Sequence, residues 1–147
     1  MGVKNAQIET RGRPVVTHLD AMRLRLLVTA FDAGSTQKLA VWLTRLDRLL
    51  NGARVLSPET IASNVVTMNS IVRLRDLNTC RTADLELIFP TGTGPLRDRD
   101  ANTFYRVSVL NPMGLSVLGR PAGYEIHDRL LIETLLYQPE AAGEYEL

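Results

Sequence analysis

The stretch VSVLNPMGLSVLGRPAGYEI, residues 107–126, holds the punctuation that decides the fold. A β-branched run (Val107, Ser108, Val109) meets Asn111-Pro112, one short apolar turn comes next, and then Gly119, Arg120, Gly123 and a second strand-like run. The pattern reads strand, capped short helix, strand. Asn111 is a good N-cap, Pro112 suits the first helical position where no amide donor is needed, and Gly119 can take the left-handed conformation that stops a helix.

Downstream, Tyr124–His127 and Leu130–Tyr137 read as closing strands. Upstream lie strand candidates at Val65–Met68, Ile71–Leu77, Ala83–Phe89 and Phe104–Leu110, interrupted by a Gly/Pro/charge-rich loop over Pro90–Asn102. Strands with one short helix indicate an α+β domain with a mostly antiparallel sheet, assigned here to residues 65–147.

The front of the chain has a different period. From Thr17, Leu19, Met22, Leu26 and Ala30 recur at three and four, with Leu24, Leu27 and Phe31 as a second stripe beside them. Thr17 is a plausible N-cap, with Asp20 three residues on where a capping box places an acid. Gly34 breaks the run, Ser35 can cap a second helix, and Leu39, Trp42, Leu46 and Leu49 resume the spacing until Asn51-Gly52. Two helices with so short a turn form an antiparallel helical hairpin, a short coiled coil over residues 17–53 with arms roughly 24 Å long. Residues 1–16 are expected to be a flexible leader and residues 54–64 a linker with Ser57-Pro58-Glu59 in it.

Composition narrows the function classes. The chain has 147 residues, 45% hydrophobic and 22% charged, enough for one modest core plus an appendage. Residues 1–60 hold nine Lys/Arg against five Asp/Glu, and residues 61–147 eight against eleven, so a net +4 front meets a net −3 back. Cys80 is the only cysteine, which excludes an internal disulfide, and there is no apolar run of membrane-spanning length. A cytoplasmic protein without membrane contact is expected.

Nothing marks an enzyme. Thr91–Gly94 (TGTG) lacks both the Lys-Ser/Thr of a P-loop and the spacing of a dinucleotide fingerprint. His18 and His127, the only histidines, have no Cys or second His at ligand spacing, so neither a metal site nor a cofactor is expected. Ser70, Ser108 and Ser116 sit in no nucleophile-elbow context. Trp42 falls on the apolar face of its helix, where it packs the hairpin.

Three segments carry a family resemblance: residues 107–126, VVTMNSIVRLRDLNT (65–79) and LLYQPEAAGEYEL (135–147). Their pattern and order resemble the C-terminal domain of the Gre transcript-cleavage factors and, more closely, the Rnk branch of the GreA/GreB family. The resemblance implies an FKBP-like C-terminal domain and a protein that binds RNA polymerase at the secondary-channel entrance. It also implies that Asn111, Pro112 and Met113, matching the turn by which Gre factors meet the polymerase rim, form the docking surface.

Gre factors also carry paired acidic residues at the coiled-coil tip, which help hold a second magnesium ion, because sharing one hard cation takes two carboxylates. Here the tip, with Asp32, Ser35 and Thr36, offers one carboxylate, and the arms are short. A regulator without transcript-cleavage activity is the expected function. A cleavage-stimulating elongation factor and an FKBP-like peptidyl-prolyl isomerase are the alternatives. Arg23, Arg25, Lys38, Arg45 and Arg48 make the hairpin basic, which is all that favours DNA contact, since no aromatics alternate with them as a stacking platform.

Two departures from the resemblance stand out. Cys80 occupies a turn position where related sequences usually have glycine, so its backbone must avoid or strain through positive φ. The connection from Ile126 to Leu130 is also tighter than the family's longer hairpin.

Overall fold

A computed structural model of the chain describes residues 12–32, 37–90 and 104–145. Strand β1 (Val15–Thr17) runs into helix α1 (His18–Asp32), and helix α2 (Gln37–Gly52) is followed by strand β2 (Arg54–Leu56). Then come β3 (Ile71–Asp76), β4 (Thr82–Ile88), β5 (Phe104–Ser108), the short helix α3 (Pro112–Val117), β6 (Glu125–Ile126) and β7 (Leu130–Tyr137).

Thr17 caps α1: its Oγ1 accepts the Asp20 N–H at 3.0 Å. The face that α1 buries runs through Ala21 and Leu24, with Leu27 and Val28 packed against the same core. The first stripe read from the sequence, Leu19, Met22, Leu26 and Ala30, stays largely outside. Met22 is 54% and Leu26 64% exposed, because the partner helix covers only one side of a wide apolar surface. From α2, Leu43, Leu46 and Leu50 meet α1 and the sheet in one continuous core. On the outside, Arg25 Nη1 of α1 donates to Asn51 Oδ1 of α2 at 3.2 Å.

The expected leader is not loose where the structure describes it. Val15–Thr17 forms β1, which pairs in parallel with β2, and Val16 is 1% exposed. Two further backbone bonds fasten it: Val15 N–H to the Gly119 carbonyl at 3.0 Å and Arg54 N–H to the Pro14 carbonyl at 2.8 Å. Three residues are too few to show a period, and their pairing partner lies beyond both helices. The segment expected to be a linker accordingly begins with a strand, and its Ile61 is buried with Val15 and Val65 in a small second cluster.

The main sheet has the order β5-β4-β3-β7-β6. Only β4–β5 is parallel; the other three pairings are antiparallel. One face carries Val72, Leu74, Leu85, Leu87 and Ile132 into the core. The opposite face carries a cross-strand run of ion pairs, Arg75–Glu133, Arg73–Asp84 and Arg106–Glu86. The alternation is the period-two pattern of a sheet, with charges satisfying one another on the polar side.

Val65–Met68, expected as a strand, is instead a buried extended segment that leads into a turn. Val66 donates to the Arg120 carbonyl at 2.9 Å and accepts from Gly119 N–H at 2.8 Å. Thr67 and Ser70 then close a tight turn, Ser70 Oγ accepting the Thr67 N–H at 2.9 Å, with Asn69 at φ 65°. Asparagine tolerates that left-handed region, so the chain turns before a ladder can form.

Two polar side chains tie remote segments. Asp20, 3% exposed, accepts the Met68 N–H through Oδ2 at 3.1 Å. Burial pushes its carboxyl up to about 7, against the lowering effect of that hydrogen bond. Gln138 Nε2 donates to the Ala62 and Val65 carbonyls, both at 2.8 Å. No helix of the described residues is long and apolar enough to cross a membrane.

Candidate functional site

Helix α3 is built by the residues that punctuate its sequence. Asn111 sits in extended conformation at φ −83° and ψ 145°, and its Oδ1 accepts the Met113 N–H at 2.9 Å. Pro112 takes the first helical position, and Gly119, at φ 78°, comes just after the helix end. Gly114 lets α3 settle on the end of β5, since a Cβ there would lie 2.2 Å from the Ser108 carbonyl oxygen.

Asn111, Pro112 and Met113 therefore stand together at the exposed start of α3. Asn111 and Pro112 are exposed and Met113 is half-buried. The helix forms a ridge between two clefts. Pro112 borders one of about 770 Å³, and Met113 borders another of about 440 Å³.

The larger cleft lies between α2, α3 and the turn that links β6 to β7. It assembles Trp42, Arg45, Arg120, Tyr124, His127 and Arg129, with Glu125 the one carboxylate among the described lining residues. The Arg45 guanidinium lies 4.7 Å from the Trp42 ring centroid, and that of Arg120 lies 4.7 Å from the Tyr124 centroid. Each is a cation–π pair that holds a guanidinium over an aromatic face. The sequence shows no aromatic residues alternating with the hairpin cations, whereas the fold sets Trp42 beside Arg45 and brings a second such pair into the same cleft. The spacings 42/45 and 120/124 are the only sequence signal for the two pairs; their convergence is tertiary.

The smaller cleft is floored by Leu74, Leu85, Val107 and Leu130 on the core side of the sheet, with Tyr105 at its edge. Asp76, Thr79 and Arg81 of the β3–β4 turn rim it. Cys80 in that turn is exposed and adopts φ 61°, so the strain read from the sequence is present in the backbone. Its N–H donates to the Asp76 carbonyl at 2.7 Å, and its own carbonyl accepts from Arg75 Nη1 at 3.0 Å. The tight β6–β7 connection is a single 3₁₀ turn, His127–Arg129, in which Arg129 also has positive φ, 60°.

Of the residues expected at the helix–helix tip, Asp32 is the last residue of α1, and Ser35 and Thr36 lie outside the described residues. Among the described residues no group of three or more His, Cys, Asp and Glu is arranged to hold a metal ion.

No family model matches the chain. It is 34% identical over 141 residues to the regulator of nucleoside diphosphate kinase of Escherichia coli K12, a match spanning 90% of this chain and 96% of that protein. The Shigella flexneri protein of the same name matches to the same extent. Among solved structures, the prokaryotic transcription elongation factor GreA/GreB from Nitrosomonas europaea superposes with a TM-score of 0.61 at 28% identity, over 85% of this chain and 98% of that one.

Proposed function

The chain belongs to the family of the regulator of nucleoside diphosphate kinase, and on that premise we propose that it is a Gre-like transcription regulator that docks on RNA polymerase at the secondary-channel entrance without stimulating transcript cleavage. In this reading residues 65–147 are the FKBP-like docking domain, α1 and α2 are the arms of a short hairpin, and the protein works in the cytoplasm. What carries it is the superposition on a GreA/GreB elongation factor over nearly all of that factor's length.

The exposed start of α3 supports the docking surface. A proline-stiffened cap costs little entropy to immobilise, and the half-buried Met113 beside it is an adaptable apolar contact. Helices of 15 and 16 residues support the absence of cleavage, because each is only roughly 24 Å long and part of that length is packed against the sheet. Asp32 is the one carboxylate in the sequence between Phe31 and Gln37, where sharing a second magnesium ion takes two.

The test is surface plasmon resonance of the purified chain on bacterial core RNA polymerase, with Pro112→Ala/Met113→Asp and a Gre factor as competitor. Binding that the competitor displaces and the double variant weakens about tenfold or more supports the reading. Failure to bind polymerase at micromolar concentrations would sink it. A transcript-cleavage assay on stalled complexes is expected to stay at its basal rate.

A further inference from the structure

The cleft between α2, α3 and the β6–β7 turn has a chemistry that polymerase docking through α3 does not use. Among the described residues, three guanidiniums (Arg45, Arg120, Arg129) and His127 line it beside one carboxylate, Glu125. Neither Arg45 nor Arg129 makes an ion pair among the described residues. Cations gathered in one concave site repel each other, so an anion that bridges them relieves the repulsion.

Arg129 gets there through a strained backbone. Its φ is 60°, held by its carbonyl accepting the Leu77 N–H at 2.9 Å. A non-glycine residue in that region is strained, and such strain tends to be retained where the side chain has a task. Planar groups line the same space: Trp42 with Arg45 over its ring, and Tyr124 with Arg120 over its ring. Aromatic faces and guanidinium planes are the surfaces on which nucleobases stack. Guanidiniums are also the side chains that bind phosphate bidentately. A volume of about 770 Å³ accommodates a mononucleotide.

We propose that this cleft is a binding site for a nucleoside polyphosphate, its phosphates held by Arg45, Arg120 and Arg129 and its base stacked against the Trp42 and Tyr124 pairs. An inorganic anion alone would leave the planar faces unused, and an unphosphorylated nucleoside would leave Arg45 and Arg129 unneutralised. Occupancy would also sit beside Pro112, which lines the cleft from α3, and so would tune whatever that helix contacts.

Trp42 is the only tryptophan, so its fluorescence reports on the cleft alone. The experiment titrates the full chain, without polymerase, with ADP, GDP and UDP, and in parallel with adenosine, pyrophosphate and a single-stranded RNA oligomer. Equilibrium dialysis with labelled nucleotide runs beside it. Because polymerase is absent, the result stands apart from the docking reading.

The expected result is saturable binding of at least one diphosphate, about tenfold tighter than adenosine or pyrophosphate. Arg45→Ala and Arg129→Ala should each weaken it about tenfold while melting as the unaltered protein does. The proposal is overturned by no saturable binding in either readout. It is equally overturned by pyrophosphate binding as tightly as the nucleotides, by RNA binding more than about a hundredfold tighter than any of them, or by arginine variants that bind normally.

Discussion

Asp20 in the first turn of α1 and Met68 at the entry to the main sheet are joined by a 3.1 Å hydrogen bond across 48 residues of sequence, carboxylate Oδ2 to backbone N–H. This contact fastens the helices to the sheet, and it does so with a group that titrates near neutrality. Burial, the largest influence, raises the Asp20 carboxyl from 3.8 to about 7. The Met68 and Thr17 hydrogen bonds and Arg23 oppose that rise, and Glu140 adds to it.

These opposing influences fix the sign of the pH dependence. Between pH 4 and 7 the unfolded chain has released this proton while the folded chain still holds it, so stability falls as pH rises across that window and levels off above it. The loss is on the order of 2–4 kcal/mol. Glu140, also raised by burial, acts in the same direction. In Asp20→Asn an amide oxygen still accepts from Met68 and no charge is buried, so urea midpoints should lose most of their slope between pH 4 and 7. Equal slopes in the two proteins would refute the assignment.

Gly119 takes φ 78° and passes so close to the N-terminal strand that an added Cβ would lie 2.7 Å from Pro14 Cβ and 2.9 Å from Val15 N. Gly123 has φ 91° with nothing within 4 Å of such a Cβ. Gly123→Ala is therefore expected to cost about 1 kcal/mol from backbone strain alone. Gly119→Ala should cost about 2–4 kcal/mol, because β1 must also move away. Denaturant melts of the two variants measure the difference; similar values would mean that β1 docking contributes little.

Cys80 is exposed and left-handed, so replacing it relieves strain without disturbing the core. Cys80→Gly should raise stability by about 0.5–1 kcal/mol, the gain being partly offset by the greater freedom of glycine in the unfolded chain. Cys80→Val, with a β-branched side chain at positive φ, should lower it by about 1 kcal/mol. A shift of the urea midpoint in the same direction for both variants would contradict the strain account.

Local features of the fold were legible in the sequence, and remote ones were not. Asn111, Pro112 and Gly119 announced α3 because capping is settled within a few residues, and Thr17 announced α1 for the same reason. Val15–Thr17 could not be read as a strand, because its partner is Arg54–Leu56, beyond both helices. The choice between two apolar stripes on α1 depended on which side α2 would cover, which left Met22 and Leu26 outside. Val65–Met68 has strand composition, but the Thr67–Ser70 turn takes it out of the ladder. Asn111, Pro112 and Met113 could be proposed as a docking surface from the sequence because they are contiguous. The basic aromatic cleft was missed because α2, α3 and the β6–β7 turn each supply a part.

Gln138 sits just past the last strand, is 4% exposed, and donates from one nitrogen to the carbonyls of Ala62 and Val65. It pins the segment between β2 and β3 to the end of β7. Gln138→Met preserves much of the volume and removes both donors, so the carbonyls lose their partner at a cost of about 2–3 kcal/mol. Hydrogen exchange at the amides near Val65 should accelerate with the same change. A loss well under 1 kcal/mol would show that water replaces the side chain.

Asn111 combines a capping role with a proposed docking role, and two substitutions separate them. Asn111→Ala removes the acceptor for the Met113 N–H and should lower stability by about 1 kcal/mol. Asn111→Ser keeps a side-chain acceptor at the cap and should leave stability within a few tenths of a kcal/mol, while shortening the exposed side chain beside Pro112. If α3 only caps and packs, polymerase affinity should track stability, and the serine variant should bind as the unaltered chain does. If the exposed start of α3 is the contact, the serine variant should fold normally and bind more weakly, a dissociation of the two effects that a purely structural role cannot produce.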